Sequence, residues 1–123
     1  MRPWQGPATL IGALLTACTA YQVTPDDLHT AGAMPKSAEV RDAIYAELQT
    51  KVKDPDSIKQ FDIVSGPTFW ADGRIAGWRY CAQFNAKNSF GAYPGVAYLP
   101  FLVRTDEERT IVITSRPERI GAC

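Results

Sequence analysis

A change of hydrophobic period near residue 60 constrains the fold more than any other feature of the chain. Before it, Val40, Ala43, Ile44, Leu48 and Val52 recur at steps of three and four. Arg41, Asp42, Glu47, Gln49, Lys51 and Lys53 fill the other faces, which is the pattern of an amphipathic helix. Ser37 reads as its N-cap, Glu39 lies in its first turn, and Lys51 and Lys53 suit the negative end of its dipole. Asp54-Pro55 stops the helix, and Asp54 reads as the cap of a short turn through Ser57. After residue 60 the period falls to two. Phe61 and Ile63 flank Asp62, Gly66-Pro67 breaks or bulges the strand, and Phe69-Trp70 resume it. Asp72-Gly73 is a hairpin signal. The return strand places Trp78, Tyr80, Ala82 and Phe84 on one face and Arg79, Cys81, Gln83 and Asn85 on the other. A third strand spans 96–104, with Pro100 pointing to an edge or bulge, and a β-branched fourth spans 109–115 beyond a charged turn. The order predicts an α+β fold: one N-terminal amphipathic helix packed on a four-stranded antiparallel meander.

Composition then narrows the function classes. Lys plus Arg and Asp plus Glu are 13 each, so the net charge is zero, and 46% hydrophobic with 21% charged residues is ordinary for one globular domain. Disordered tails, collagen-like repeats and multi-span membrane proteins are excluded. No basic stripe exists to meet a nucleic acid. With 1 His and 3 Cys there is little material for a metal site, so neither metal nor cofactor is expected. G-x-S-x-G, P-loop, H-E-x-x-H and EF-hand patterns are absent. Ser57 and Ser89 lack an imidazole partner in the same domain, because His29 precedes it. Asp54 with Asp56, and Glu107 with Glu108, read as cap and turn residues. The chain is therefore read as not an enzyme.

The opening residues read as an address. Arg2 is followed by the uncharged stretch Ala8 to Ala17. Its ten residues would make a helix of about 15 Å, against a bilayer core of about 30 Å. That is too short to span and suits the apolar core of a signal peptide. Leu15-Thr16-Ala17-Cys18 then resembles the lipobox of bacterial lipoproteins. The resemblance implies cleavage before Cys18, lipid (palmitate among it) on that residue, and a cell-envelope location on the periplasmic face. Thr19, where an Asp would signal inner-membrane retention, favours the outer membrane over the inner. Cleavage after Ala20 to give a soluble protein is the competing reading. The expected division is a signal peptide at 1–17, a lipidated Cys18 with a flexible tether to residue 36, and a globular domain at 37–123. A tether of that length would hold the domain clear of the headgroups.

With Cys18 lipidated, Cys81 and Cys123 are left to pair in an oxidising compartment. Closing that loop would stabilise the fold by about 4 kcal/mol in the chain-entropy model. The loop after the second strand is the other conspicuous feature. Lys53-Asp54-Pro55-Asp56-Ser57 and Cys81-Ala-Gln-Phe-Asn85-Ala-Lys87-Asn88-Ser89-Phe90-Gly91-Ala-Tyr93, together with Phe61, resemble K-D-P-x-S and C-G-x-x-N-A-K-N-S-F-G-x-Y blocks of a family of small exported bacterial proteins. That family carries no activity to transfer. Ala82 and Ala92 depart from its pattern, where Gly is usual. Asn85, Asn88 and Ser89 suit tight turns, and Phe90 and Tyr93 are expected to pin the loop to the sheet. The loop is thus either a demanding connection or a recognition loop with Lys87 and Tyr93 at its tip. The leading expectation is a membrane-anchored envelope lipoprotein acting on an unidentified envelope protein by contact. An inhibitor of a periplasmic or secreted hydrolase is the alternative, and a small-ligand carrier or enzyme the third.

Overall fold

The computed structural model describes residues 21–123, so Cys18 and the apolar stretch before it lie outside the described residues. The fold is α+β, a four-stranded antiparallel sheet in the order β1-β2-β3-β4 with helices around it. In chain order the elements are α1 (Pro25–Ala31), α2 (Ser37–Gln49), a single 3₁₀ turn (Pro55–Ser57), β1 (Lys59–Ala71), β2 (Ala76–Asn85), β3 (Ala97–Asp106), β4 (Arg109–Thr114) and α3 (Pro117–Ile120).

The stripe of α2 sets the first face of the sheet. Val40, Ile44 and Leu48 are fully buried against Tyr80 and Ala82 of β2 and Phe101 and Val103 of β3. Directly opposed residues of antiparallel strands share a face, and the register joins Trp78 to Val103, Tyr80 to Phe101 and Ala82 to Leu99. Lys36 holds the N-cap position of α2 without a side-chain bond, so Ser37 is the first helical residue and not the cap. Asp54 likewise occupies the cap position of the 3₁₀ turn without bonding through its side chain.

The second face is also covered, which two-fold alternation alone does not reveal. Cys81 and Asn85, on the face opposite Tyr80, are as buried as the core. The C-terminal tail lies against Cys81, and Asn85 is held between Gln60 and Gly95. Arg79 donates from Nε to the Ile120 carbonyl at 2.9 Å and from Nη2 to the Gly121 and Ala122 carbonyls at 2.9 and 2.8 Å. A Cys81–Cys123 disulfide closes the same tail across Cα atoms 5.8 Å apart. Ile120 and Leu102 are buried with it.

Two expectations about the chain path are corrected. The span 19–36, read as a tether without structure, carries α1. Thr24 and Asp27 form a capping box there, and Pro25 sits at the first turn. Ala31 is fully buried, and Trp78 donates its indole N–H to the Gly32 carbonyl at 3.3 Å. Gly32 has φ +70, and a side chain there would meet the Thr105 backbone, so the chain passes directly against β3. Second, Pro100 is buried on a central strand. The β3–β4 ladder begins only at Leu102, opposite Thr114, so at Pro100 the strand has a single hydrogen-bonded neighbour. Of the two expectations for Gly66-Pro67, the bulge holds: β1 runs through these residues with its register shifted between Ser65 and Thr68.

Candidate functional site

Antiparallel pairing gives the sheet two ends. The β1–β2 hairpin and the β3–β4 turn close one of them. The 3₁₀ turn and the β2–β3 connection, residues 86–96, form the other. The candidate recognition loop occupies that second end.

Its base is fastened by a residue 30 positions away in sequence. Ser57 is 7% exposed; its hydroxyl donates to the Asp54 carbonyl at 2.7 Å and accepts from the Lys87 N–H at 2.8 Å. The Ser57 carbonyl accepts the Tyr93 hydroxyl at 2.7 Å. One serine thus grips both limbs of the loop. Asn85 holds the loop from the strand side: Nδ2 donates to Gln60 Oε1 at 2.9 Å, and Oδ1 accepts from the Gly95 N–H at 3.3 Å. Gln60 pays for its place in that contact with φ +56, in a region costly for residues other than Gly. Gln83 steadies it by donating to the Gln60 carbonyl at 3.3 Å. Asn88 builds the turn itself, its Oδ1 accepting from the N–H groups of Phe90 at 3.0 Å and Ala92 at 3.2 Å.

The tip differs from the expectation. Phe90 does not pin the loop; it is 94% exposed, the most exposed large hydrophobic among the described residues. Tyr93 does the pinning, and Lys87 leaves the strand beside it, so both belong to the base. The Lys59 ammonium stands 3.9 Å from the Tyr93 ring centroid and that of Lys87 5.8 Å, a cation–π pair around one ring. Ser89 is exposed beside Phe90, and Val96 and Tyr98 add exposed apolar surface on the descending limb. The structure therefore brings Lys87 and Tyr93 onto Ser57, ties Asn85 to Gln60 and Gly95, folds the turn on Asn88, and leaves Ser89 and Phe90 outward. The reading from sequence did not identify Ser57 or Gln60 as site residues. The K-D-P-x-S block marked Ser57, but its sequence distance from the loop hid the contact.

Elsewhere, a cleft of ≈ 590 Å³ lies between α2 and the start of β1. Its main cation, Arg41, is already engaged with Asp62 at 3.3 Å, with the Phe61 carbonyl at 3.1 Å and with the Phe61 ring. Two other polar residues of the cleft are engaged elsewhere, Lys59 on the Tyr93 ring and Gln60 with Asn85. His29 is exposed in α1. No protein-family model, curated protein or solved structure matches the chain.

Proposed function

We propose that the chain is a small cell-envelope lipoprotein, anchored through Cys18, that works by protein–protein contact through the 86–96 loop and not by catalysis. The observation that supports this reading is a 94% exposed Phe90 at the tip of a loop whose base is bonded at Ser57, Asn85 and Tyr93. An aromatic held out on a braced loop has little entropy left to lose on binding, which is the character of an interface anchor. The Leu15-Thr16-Ala17-Cys18 motif supports the anchor. An inhibitor of a periplasmic or secreted hydrolase is the second reading, favoured by the same projecting side chain.

Two measurements test it. Metabolic palmitate should label the wild type and not Cys18→Ala; equal labelling of both removes the anchor. A photo-activatable phenylalanine in place of Phe90 should give one dominant cross-linked envelope protein, which the same group in place of Glu118 does not give. A hydrolase in that adduct selects the second reading. The same adducts from both positions, or none from either, remove the contact role of the loop.

A further inference from the structure

We infer that the arginine-rimmed side of the sheet, beside the β1–β2 hairpin, rests on anionic lipid headgroups of the bilayer that holds the protein. The inference depends on Cys18 being the anchor, and it begins with where the described chain starts. The Tyr21 ring lies against Gly73, with Cε2 3.1 Å from where a side-chain carbon on that glycine would sit. Its hydroxyl donates to Asp27 at 2.7 Å, which joins it to α1. Cys18 precedes Tyr21 by three residues, a span of at most about 11 Å. An acylated Cys18 therefore keeps the hairpin end within about that distance of the membrane interface. The spacer expected from the sequence is taken up by α1 and its contacts with β2 and β3.

The surface next to that point has the chemistry of a headgroup contact. Two clefts of ≈ 290 and ≈ 350 Å³ adjoin there, sharing Ile75 and Ile113 as floor. Arg74 and Arg104 line the first, Arg116 and Arg119 the second. Arg119 pairs with Asp72 at 3.0 Å and Arg104 with Asp106 at 3.8 Å. Among the described residues Arg74 and Arg116 form no ion pair. Two exposed guanidinium groups thus carry no direct ion pair, although the Arg74 charge is felt by Asp72 two residues away. Glu108 lines a different cleft with Lys36 and Glu39 toward α2, and Asp27 is occupied by Tyr21 and Thr24. Glu118 on α3 and Asp26 on α1, one turn before the cleft residue Thr30, are exposed carboxylates on these elements. Guanidinium forks match phosphate oxygens, and an apolar floor between them suits the boundary between headgroup and acyl chain. The 86–96 loop, at the other end of the sheet, then faces away from the membrane.

The test uses the acylated protein, its acyl mass first measured, in nanodiscs of phosphatidylcholine and of phosphatidylcholine with one quarter phosphatidylglycerol. Amide exchange is read by peptide. Residues 72–76 and 111–120 should exchange more slowly in the anionic discs, and 0.5 M salt should erase the difference. Residues 86–96 should exchange alike in both. The ratio of docked to undocked protein should fall about fivefold for each of Arg74→Gln and Arg116→Gln, while both Lys replacements retain docking. Acylated protein with equal exchange in the two discs overturns this inference and leaves the anchor standing. A preparation without acyl mass overturns the anchor, and the inference with it.

Discussion

Replacing Ser57 with alanine probes the loop base at the point where one side chain serves two partners. The hydroxyl is 7% exposed, donates to the Asp54 carbonyl at 2.7 Å and accepts from the Lys87 N–H at 2.8 Å. A typical bond of this kind contributes about 1 kcal/mol, and a buried group left without a partner costs about 1–3 kcal/mol. Lys87 is only half-buried, so its N–H recovers some solvation; the two losses together should cost about 2–3 kcal/mol. For a domain of this size that lowers Tm by roughly 8–24 °C. Thermal melts with the disulfide intact measure the total, and amide exchange at Lys87, Ala92 and Gly95 reports the loop. Tyr93→Phe removes only the bond to the Ser57 carbonyl and should cost about 1 kcal/mol. Because both bonds end on Ser57, the double variant should cost less than the sum of the singles. A Ser57→Ala melt within about 2 °C of wild type, with loop exchange unchanged, would refute the idea that this serine braces the loop.

Two further perturbations follow from the same structure. Cys123→Ser opens a crosslink separating 42 positions and should cost up to about 4 kcal/mol, read as lowered Tm and faster proteolysis within 116–123; the three Arg79 bonds retain part of the tail, so an added Arg79→Met should destabilise further, and identical melts for all three proteins would refute the clamp. Stability should also fall in acid: burial pushes the Asp72 carboxyl up, but the Ile75 and Arg74 N–H groups and the charges of Arg119 and Arg74 more than reverse it, and the Thr24 N–H and Tyr21 hydroxyl lower Asp27. Both groups bind protons less readily folded than unfolded, so their contribution is whole above the ordinary carboxylate value of about 3.9 and lost as pH drops through the folded values; Tm against pH should flatten below pH 4 in Asp27→Asn and Asp72→Asn, and an unchanged slope would refute it.

Elements whose signal is local were legible in the sequence. The stripe of Val40, Ile44 and Leu48 lies inside α2 and is buried, because one apolar row on a four-turn helix has only one way to face a core. Asp72-Gly73 makes its hairpin since Asp72 Oδ1 accepts from the Arg74 and Ile75 N–H groups and Gly73 takes φ +88. The pairing of Cys81 with Cys123 was reachable by arithmetic once Cys18 was set apart. What escaped was non-local or short. Helix α1 has seven residues and little periodicity, although Thr24-Pro25-Asp26-Asp27 carries a readable capping box. The β3–β4 turn was legible as a charged turn, but not its backbone: Glu107 and Glu108 take φ +47 and +68, a conformation that Asn-Gly would have announced. Phe90 and Tyr93 have alike sequence surroundings and opposite fates, because only Tyr93 has a hydroxyl to reach the Ser57 carbonyl.

The separation of the two ends of the sheet gives these details a common consequence. Strand β2 has 10 residues from Ala76 to Asn85, so the hairpin end and the loop end stand about 30 Å apart. On the proposed reading, the first end meets lipid and the second meets a partner. A span of that length transmits position only if the sheet does not bend. Both faces of β2 are filled, by α2 on one side and by the clamped C-terminal tail on the other. A sheet open on one face would twist more freely, and the Phe90 ring would wander relative to the membrane. If the loop and the lipid contact act as proposed, the disulfide and the Arg79 bonds bear on recognition as well as stability: they hold fixed the height at which the loop is offered, and loosening them should weaken binding without removing any contact of the loop itself.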